Sequence, residues 1–283
     1  MTAQMPSGEP TPAAWDAVAD GFDEFVTPVN SRHGAAALSR IDIGPGTRLL
    51  DVAAGSGALS IPAARRGADV TATDISPRMI ERLRARASAA GVPNLQARVM
   101  DGMRLEYDDD TFDVAVSQHG VSTFVDLRGG LAELVRVTKP GGRVLVSAFG
   151  ALSRAEFFGF LVGAVRAAIP GFVPPPADPP PLPFQLADVA VFRDRLVEAG
   201  LSGVTIDTTE WDTPYESATH FLAAVSSSHP IAATMVTQLA PSQRAQVTQV
   251  LDGMLRERSG GAPGAVLHAE VHIGAGTVPG WRS

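Results

Sequence analysis

Cysteine is absent from the 283 residues, so disulfides, thiolate metal sites and a cysteine nucleophile are excluded. Lysine is almost absent too, Lys139 standing alone among arginines, which we read as codon bias rather than chemistry. Positive charge is in deficit: the formal net charge is −7 with no basic stripe, so nucleic acid is not an expected partner and small molecules fit better. No apolar run approaches the roughly 18 residues of a membrane span, and Met1 to Thr11 lacks the basic and apolar blocks of a signal peptide, so a cytoplasmic location without membrane contact is expected. No spacing among the six histidines suggests a metal. What is present is 45% hydrophobic content, enough to bury the core of one large domain or of a domain with a lid.

The organising stretch is residues 48–57, Arg48-Leu49-Leu50-Asp51-Val52-Ala53-Ala54-Gly55-Ser56-Gly57. A short apolar run, an acid and a glycine-rich turn describe a buried strand passing into a helix. Gly55 and Gly57 have no Cβ, so a ligand can lie against bare peptide groups, near a helix start whose N–H groups favour a polar or anionic partner. The plainer reading of such a turn is close strand-to-helix packing. A second strand pattern ending in Asp74, seventeen residues beyond Gly57, favours a nucleotide-type pocket, because an acid there can accept from both ribose hydroxyls.

Residues 1 to 10 read as a frayed tail, followed by a helix capped by Thr11 with Pro12 at its first position and Trp15, Val18, Phe22 and Phe25 on one face. A second helix fits Ser31 to Arg40. Strands are expected near 47–52, 69–73, 95–99, 112–117 and 143–149, with helices at 58–66, 77–90 and 127–138. This alternation of continuous apolar strands with helices predicts an α/β, doubly wound, mostly parallel sheet whose ligands bind outside the strands' carboxyl ends. Beyond Gly150 the pattern gives an apolar helix over 151–169, a proline run from Pro174 to Pro181, a helix from Leu186 to Ala199 and a strand from Gly203 to Thr209, with Glu210-Trp211-Asp212 where that strand meets an insertion. Helices over 216–227, 230–239 and 242–258 precede a last strand at 265–273.

Five blocks of the sequence resemble the class I S-adenosylmethionine-dependent methyltransferases, the broad group that includes the ubiquinone and menaquinone C-methyltransferases and many small-molecule enzymes. They are Trp15-Asp16-Ala17-Val18-Ala19 with Phe22-Asp23; Leu50 to Gly57; Thr73-Asp74-Ile75-Ser76-Pro77-Arg78-Met79; Asp101 with Phe112-Asp113-Val114; and Leu134 to Gly142, across residues 12 to 150. The resemblance implies a seven-stranded Rossmann-like sheet with helical lid insertions, S-adenosyl-L-methionine as cofactor and S-adenosyl-L-homocysteine as product. It implies that Asp51 lies near the methionine ammonium, with Ala53, Gly55 and Gly57 in the turn, and that Asp74 accepts from the ribose. Ile75 and Met79 would pack on adenine, Asp101 would accept from the adenine amino group beside Gly102 and Met103, and Ser117 and Gln118 would meet the methionine moiety. Two positions depart from the pattern: Ala53 replaces the usual glycine, and Phe22 replaces a frequent tyrosine, which favours Phe22 as wall rather than ligand. Asp113, at the start of its strand, is expected to be structural.

The expected organisation is a lid-forming helical segment (1–46), a cofactor core (47–150), an acceptor-pocket insertion (151–186), a core continuation (187–213), a helical lid or homodimerisation insertion (214–262) and the last strand with the tail (263–283). His119, at the carboxyl end of the fourth strand, is the candidate general base, or else packs against the cofactor. Phe149, Phe157 and Phe158 are candidate walls for a small, largely apolar methyl acceptor. His33, His220 and His229 read as surface residues, and His268 and His272 as one solvated strand face. A nicotinamide-dependent oxidoreductase shares the glycine turn and the later acid, but Ser60 stands where its third glycine is expected. A cyclase or binding protein that holds S-adenosylmethionine without methyl transfer is the remaining alternative.

Overall fold

Adjacent apolar residues in the central strands face opposite layers, which is why these strands read as unbroken apolar runs. In a computed structural model describing residues 11–174 and 178–280, Leu49, Val114, Val116 and Leu145 join one core with Ile80 and Leu83, while Leu50, Ala115, Val144 and Val146 join a second with Leu134 and Phe192. The tail expected over residues 1–10 and part of the proline run, 175–177, lie outside the described residues.

The elements are α1 (Pro12–Gly21), α2 (Thr27–Ala37), β1 (Arg48–Val52), α3 (Ser60–Arg65), β2 (Asp69–Asp74), α4 (Pro77–Ala90), β3 (Leu95–Val99), β4 (Phe112–Gln118), α5 (Leu127–Arg136), β5 (Thr138–Phe149), α6 (Glu156–Ala168), α7 (Val189–Glu198), β6 (Ser202–Tyr215), α8 (Ala218–Ser228), α9 (Pro230–Thr237), α10 (Pro241–Ser259) and β7 (Ala265–Thr277). They build a seven-stranded sheet of order β3-β2-β1-β4-β5-β7-β6, parallel except for β7, which runs antiparallel to both neighbours. Strand order reverses between β1 and β4, and ligands of such sheets bind outside the carboxyl ends at that point.

Several boundaries differ from expectation. The two N-terminal helices join through a π-helical turn, Phe22–Val26, and the second starts at Thr27 rather than Ser31. The fifth strand begins at Thr138, earlier than 143, and the helix expected from 151 opens with a separate 3-10 turn, Leu152–Arg154. The largest correction concerns β6, which runs through Glu210-Trp211-Asp212 to Tyr215 because β7 pairs with it residue by residue, Asp212 opposite His268 and Tyr215 opposite Ala265. Asp113 is structural as expected: it accepts from the Arg48 amide and pairs with Lys139 at 2.6 Å.

The later insertions form a helical layer with its own core, where Leu161 and Val165 of α6 meet Phe221 and Val225 of α8 and Leu251 and Leu255 of α10. α1 is fastened beneath it to the start of α4: Asp16 accepts from Ser76 Oγ and the Arg78 amide, and Asp20 pairs with Arg78 and Arg82.

Candidate functional site

The helical layer and the sheet line a cavity of about 280 Å³ above the carboxyl ends of the strands. Ala53 and Gly55 follow β1 into its floor, Asp74 and Ile75 follow β2, Asp101 to Met103 follow β3, Gln118 and His119 end β4, and Phe149 ends β5. Met79, Phe22, Phe157 and Phe158 also line it, so most of the residues singled out from the sequence converge here.

Asp51, Gly57 and Ser117 do not line the cavity. Asp51 Oδ2 accepts from Ser60 Oγ beneath the turn, Gly57 lies against Leu83 and Ile61, and Ser117 Oγ donates to the Val52 carbonyl while accepting from the Val121 amide. Asp51 Oδ1 is nevertheless buried without a partner, and burial pushes its carboxyl up to about 7.

The floor is set by backbone geometry. Ala53 takes a left-handed φ of +56°, which costs a non-glycine residue about 1 kcal/mol and explains why glycine is usual there. Its methyl group also dictates the residue opposite, since a Cβ on Gly120 would fall 2.4 Å from Ala53 Cβ. Gly120→Ala is therefore expected to destabilise the chain by about 1–3 kcal/mol in urea denaturation, and Ala53→Gly to recover part of that loss. Strictly additive effects would contradict the contact. Gly55, at φ +54°, lies under the Phe22 ring. Thr27 Oγ1 and Ser56 Oγ share a buried 2.5 Å hydrogen bond that ties α2 to the turn.

Asp74 is only 8% exposed. Its oxygens accept from the Gly55 amide and the Ser76 amide, both at 2.9 Å, and burial raises its carboxyl to about 6 against the opposing pull of those amides. A carboxylate oxygen has two lone pairs, so each retains one acceptor position. Asp101 is exposed and accepts from the Met103 amide. Two acids that can accept hydrogen bonds, Asp74 and Asp101, thus line the cavity together with the apolar Ile75 and Met79.

The deeper part of the cavity is aromatic. His119, itself left-handed at φ +57°, stacks on Phe149 at 4.4 Å and meets the edge of Trp211, while Phe149 also contacts Phe157 and Phe184. Both His119 ring nitrogens are buried without partners, and burial, aided by nearby His33, pushes its pKa down to about 3. The imidazole is neutral at physiological pH. Among the described residues, no lysine or arginine lines the cavity.

Sequence reasoning missed several wall residues. Trp15 lies in a recognised block on a helix expected to belong to the lid but was not singled out as a wall residue, and Phe184 follows the proline run with no periodic pattern around it. Trp211 and Tyr215 were hidden by the premature end assigned to β6. Three histidine expectations are corrected. His272 is 2% exposed and bonded to Thr208 Oγ1 and the Ala187 carbonyl, His33 stacks on Trp211 at 4.0 Å, and His229 lines the cavity against Trp15. Strand register also gathers Glu210, Asp212 and His268 with donor atoms within 4.8 Å, a surface grouping that chain spacing does not reveal.

Comparison with known proteins identifies the family and the fold. The family described as "Methyltransferase domain" matches residues 50–146. An uncharacterized protein of Mycobacterium tuberculosis is 39% identical over 148 residues, covering 52% of this chain and 52% of that protein. A demethylmenaquinone methyltransferase of Mycolicibacterium paratuberculosis is 32% identical over 176 residues, 60% of this chain and 74% of that one. The chain spans about half the length of the first curated relatives it matches, 52% and 45%. In structure, the YcgJ protein of Bacillus subtilis is similar with a TM-score of 0.56 at 18% identity, covering 87% of this chain and 99% of that one. A Haemonchus contortus phosphoethanolamine N-methyltransferase in complex with S-adenosylhomocysteine gives 0.55 at 16%, covering 88% and 52%. No helix among the described residues is long and apolar enough to cross a membrane. The match to the methyltransferase domain and the 32% identity over 74% of the Mycolicibacterium methyltransferase show that the chain belongs to the S-adenosylmethionine-dependent methyltransferase family.

Proposed function

We propose that the chain transfers the methyl group of S-adenosylmethionine to a small, uncharged, largely apolar metabolite. The observation that carries this is the aromatic recess of Phe149, Phe157, Phe158, Phe184 and Trp211, which continues from the cofactor crevice and, among the described residues, has no lysine or arginine to pair with a phosphate or carboxylate. Family membership disfavours the nicotinamide alternative. When bound, the sulfonium supplies an already activated methyl group, so the protein's part is to orient the acceptor and exclude water.

In this reading Asp74 holds the ribose, Ile75 and Met79 pack against adenine, and Asp101 accepts from its amino group, with Gly55, Gly102 and Met103 leaving room for the nucleoside. Gln118 and the main chain around Ala53 line the methionine end. Phe22 roofs the glycine turn. Asp51, Gly57 and Ser117 act from beneath, fixing the turn and the end of β4. The lid insertions close over the acceptor; the chain's other partners, a second copy included, are not part of this reading.

His119 serves better as a neutral hydrogen-bonding wall than as a base, because an imidazole whose pKa is lowered to about 3 has little affinity for a proton at pH 7. His119→Ala is expected to lower kcat/KM about tenfold, the worth of one neutral hydrogen bond, without changing the pH profile between pH 6 and 8. An inflection near pH 6.5 in the wild type that disappears in the variant would restore the base. Mass spectrometry of metabolite pools incubated with methyl-labelled S-adenosylmethionine tests the substrate class, and labelling confined to anionic metabolites would contradict it.

A further inference from the structure

α9 opens with His229 as its N-cap, and His229 Nδ1 accepts from the Ile231 amide at 3.2 Å. That bond decides the tautomer. A neutral imidazole that accepts at Nδ1 carries its proton on Nε2, and burial keeps this ring neutral by lowering its pKa to about 4. Nε2 is buried and has no partner, although the ring forms part of the cavity wall. A sealed N–H donor without an acceptor is costly and rare in a folded protein.

The surroundings say which ligand meets it. His229 packs edge-on against Trp15 at 5.1 Å, and Trp15 belongs to the cluster that holds Met79. The next residue, Asp16, is bonded to Ser76 Oγ and the Arg78 amide, immediately after Asp74 and Ile75. His229 therefore stands over the nucleoside side of the cavity, whereas the Phe149 and Phe184 recess lies beside His119.

We propose that His229 is the lid's own contact to the methyl donor, a positioning residue whose Nε2–H donates to a ribose oxygen of S-adenosylmethionine. The inference rests on the cofactor reading above and deepens it. The ribose is then held from the sheet by an acceptor, Asp74, and from the lid by a donor, so cofactor binding also orders the start of α9 over the nucleoside.

Two substitutions separate this role from capping. Asparagine at an N-cap keeps an acceptor for the Ile231 amide but places nothing where Nε2 stands; glutamine reaches that position with an amide N–H but is a poor cap. Calorimetric titration of the full chain with S-adenosylhomocysteine should show His229→Asn weakened about tenfold or more with its melting midpoint held within about 2 °C. His229→Gln should show the reverse, a lowered midpoint with affinity within about threefold of wild type. Wild-type affinity in His229→Asn, or equal losses of affinity in both variants, would overturn the proposal. Failure of the wild-type chain to bind S-adenosylhomocysteine would instead remove the cofactor reading, and this inference with it.

Discussion

Asp74→Ala is expected to weaken S-adenosylhomocysteine binding by about a hundredfold or more, and to lower the melting temperature as well. The ligand would lose two charge-assisted acceptors, each worth about 1.5–3 kcal/mol, which makes a hundredfold a conservative figure. Stability falls for a separate reason: the Gly55 and Ser76 amides both donate to this carboxylate and would be left without it. Asp74→Asn should fall between, since one oxygen survives while the new amide group confronts a backbone donor. The same carboxyl, raised to about 6 by burial, is protonated more readily than an exposed aspartate. Wild-type affinity should therefore decline as pH drops below about 6, as the acceptor becomes a hydroxyl. Titration calorimetry between pH 5 and 8 measures both effects, and unchanged affinity in Asp74→Ala would remove this acid from the site.

The second large effect is on stability. Asp51 has a folded pKa raised from 3.8 to about 7, chiefly by burial and then by the neighbouring Asp74 charge, with Ser60 opposing. The folded chain thus binds more protons than the unfolded chain between those two values. Its contribution is fully present below the unfolded pKa and is lost as pH rises toward 7. Roughly three pH units at about 1.4 kcal/mol each set the scale at about 4 kcal/mol, with Asp74 adding a smaller term of the same sign. The cofactor-free protein is accordingly expected to be more stable at pH 5.5 than at pH 8 in urea denaturation. Asp51→Asn should flatten that slope and stabilise the chain at pH 8 by about 2–4 kcal/mol, because Ser60 keeps an acceptor while the buried charge is gone. A wild-type stability that rises over this interval would contradict the assignment.

The sheet was legible in the sequence because its central strands are buried on both faces, so apolar continuity and glycine punctuation located β1 and β4 within a residue or two, while the start of β5 was placed five residues late. α4 was read to its ends, with Ser76 capping the Met79 amide and Gly91 closing it in the left-handed conformation. β6 was cut short at Thr209 because Glu210-Trp211-Asp212 was placed where the strand meets an insertion. As the sheet's edge strand it tolerates a proline that lacks a donor, and Pro214 pairs there with Val266.

Side-chain direction was harder to read than position. Asp51 sits one residue before the end of β1, near the crevice in sequence, yet it shares the face of Leu49 and turns onto α3. His272 alternates with apolar neighbours as a solvated residue would, but the segment ending at Ala187 covers it. His229 belongs to a lid whose contact with α1 spans more than two hundred residues of chain, and no local pattern encodes such a meeting.

A crystal structure of the full chain with S-adenosylhomocysteine tests the central claim most directly. Adenosine should lie between Asp74 and Asp101 with its ribose on the Asp74 carboxylate, and the sulfur should face the recess of His119 and Phe149. A nucleoside bound elsewhere on the chain, or a sulfur turned away from that recess, would contradict it.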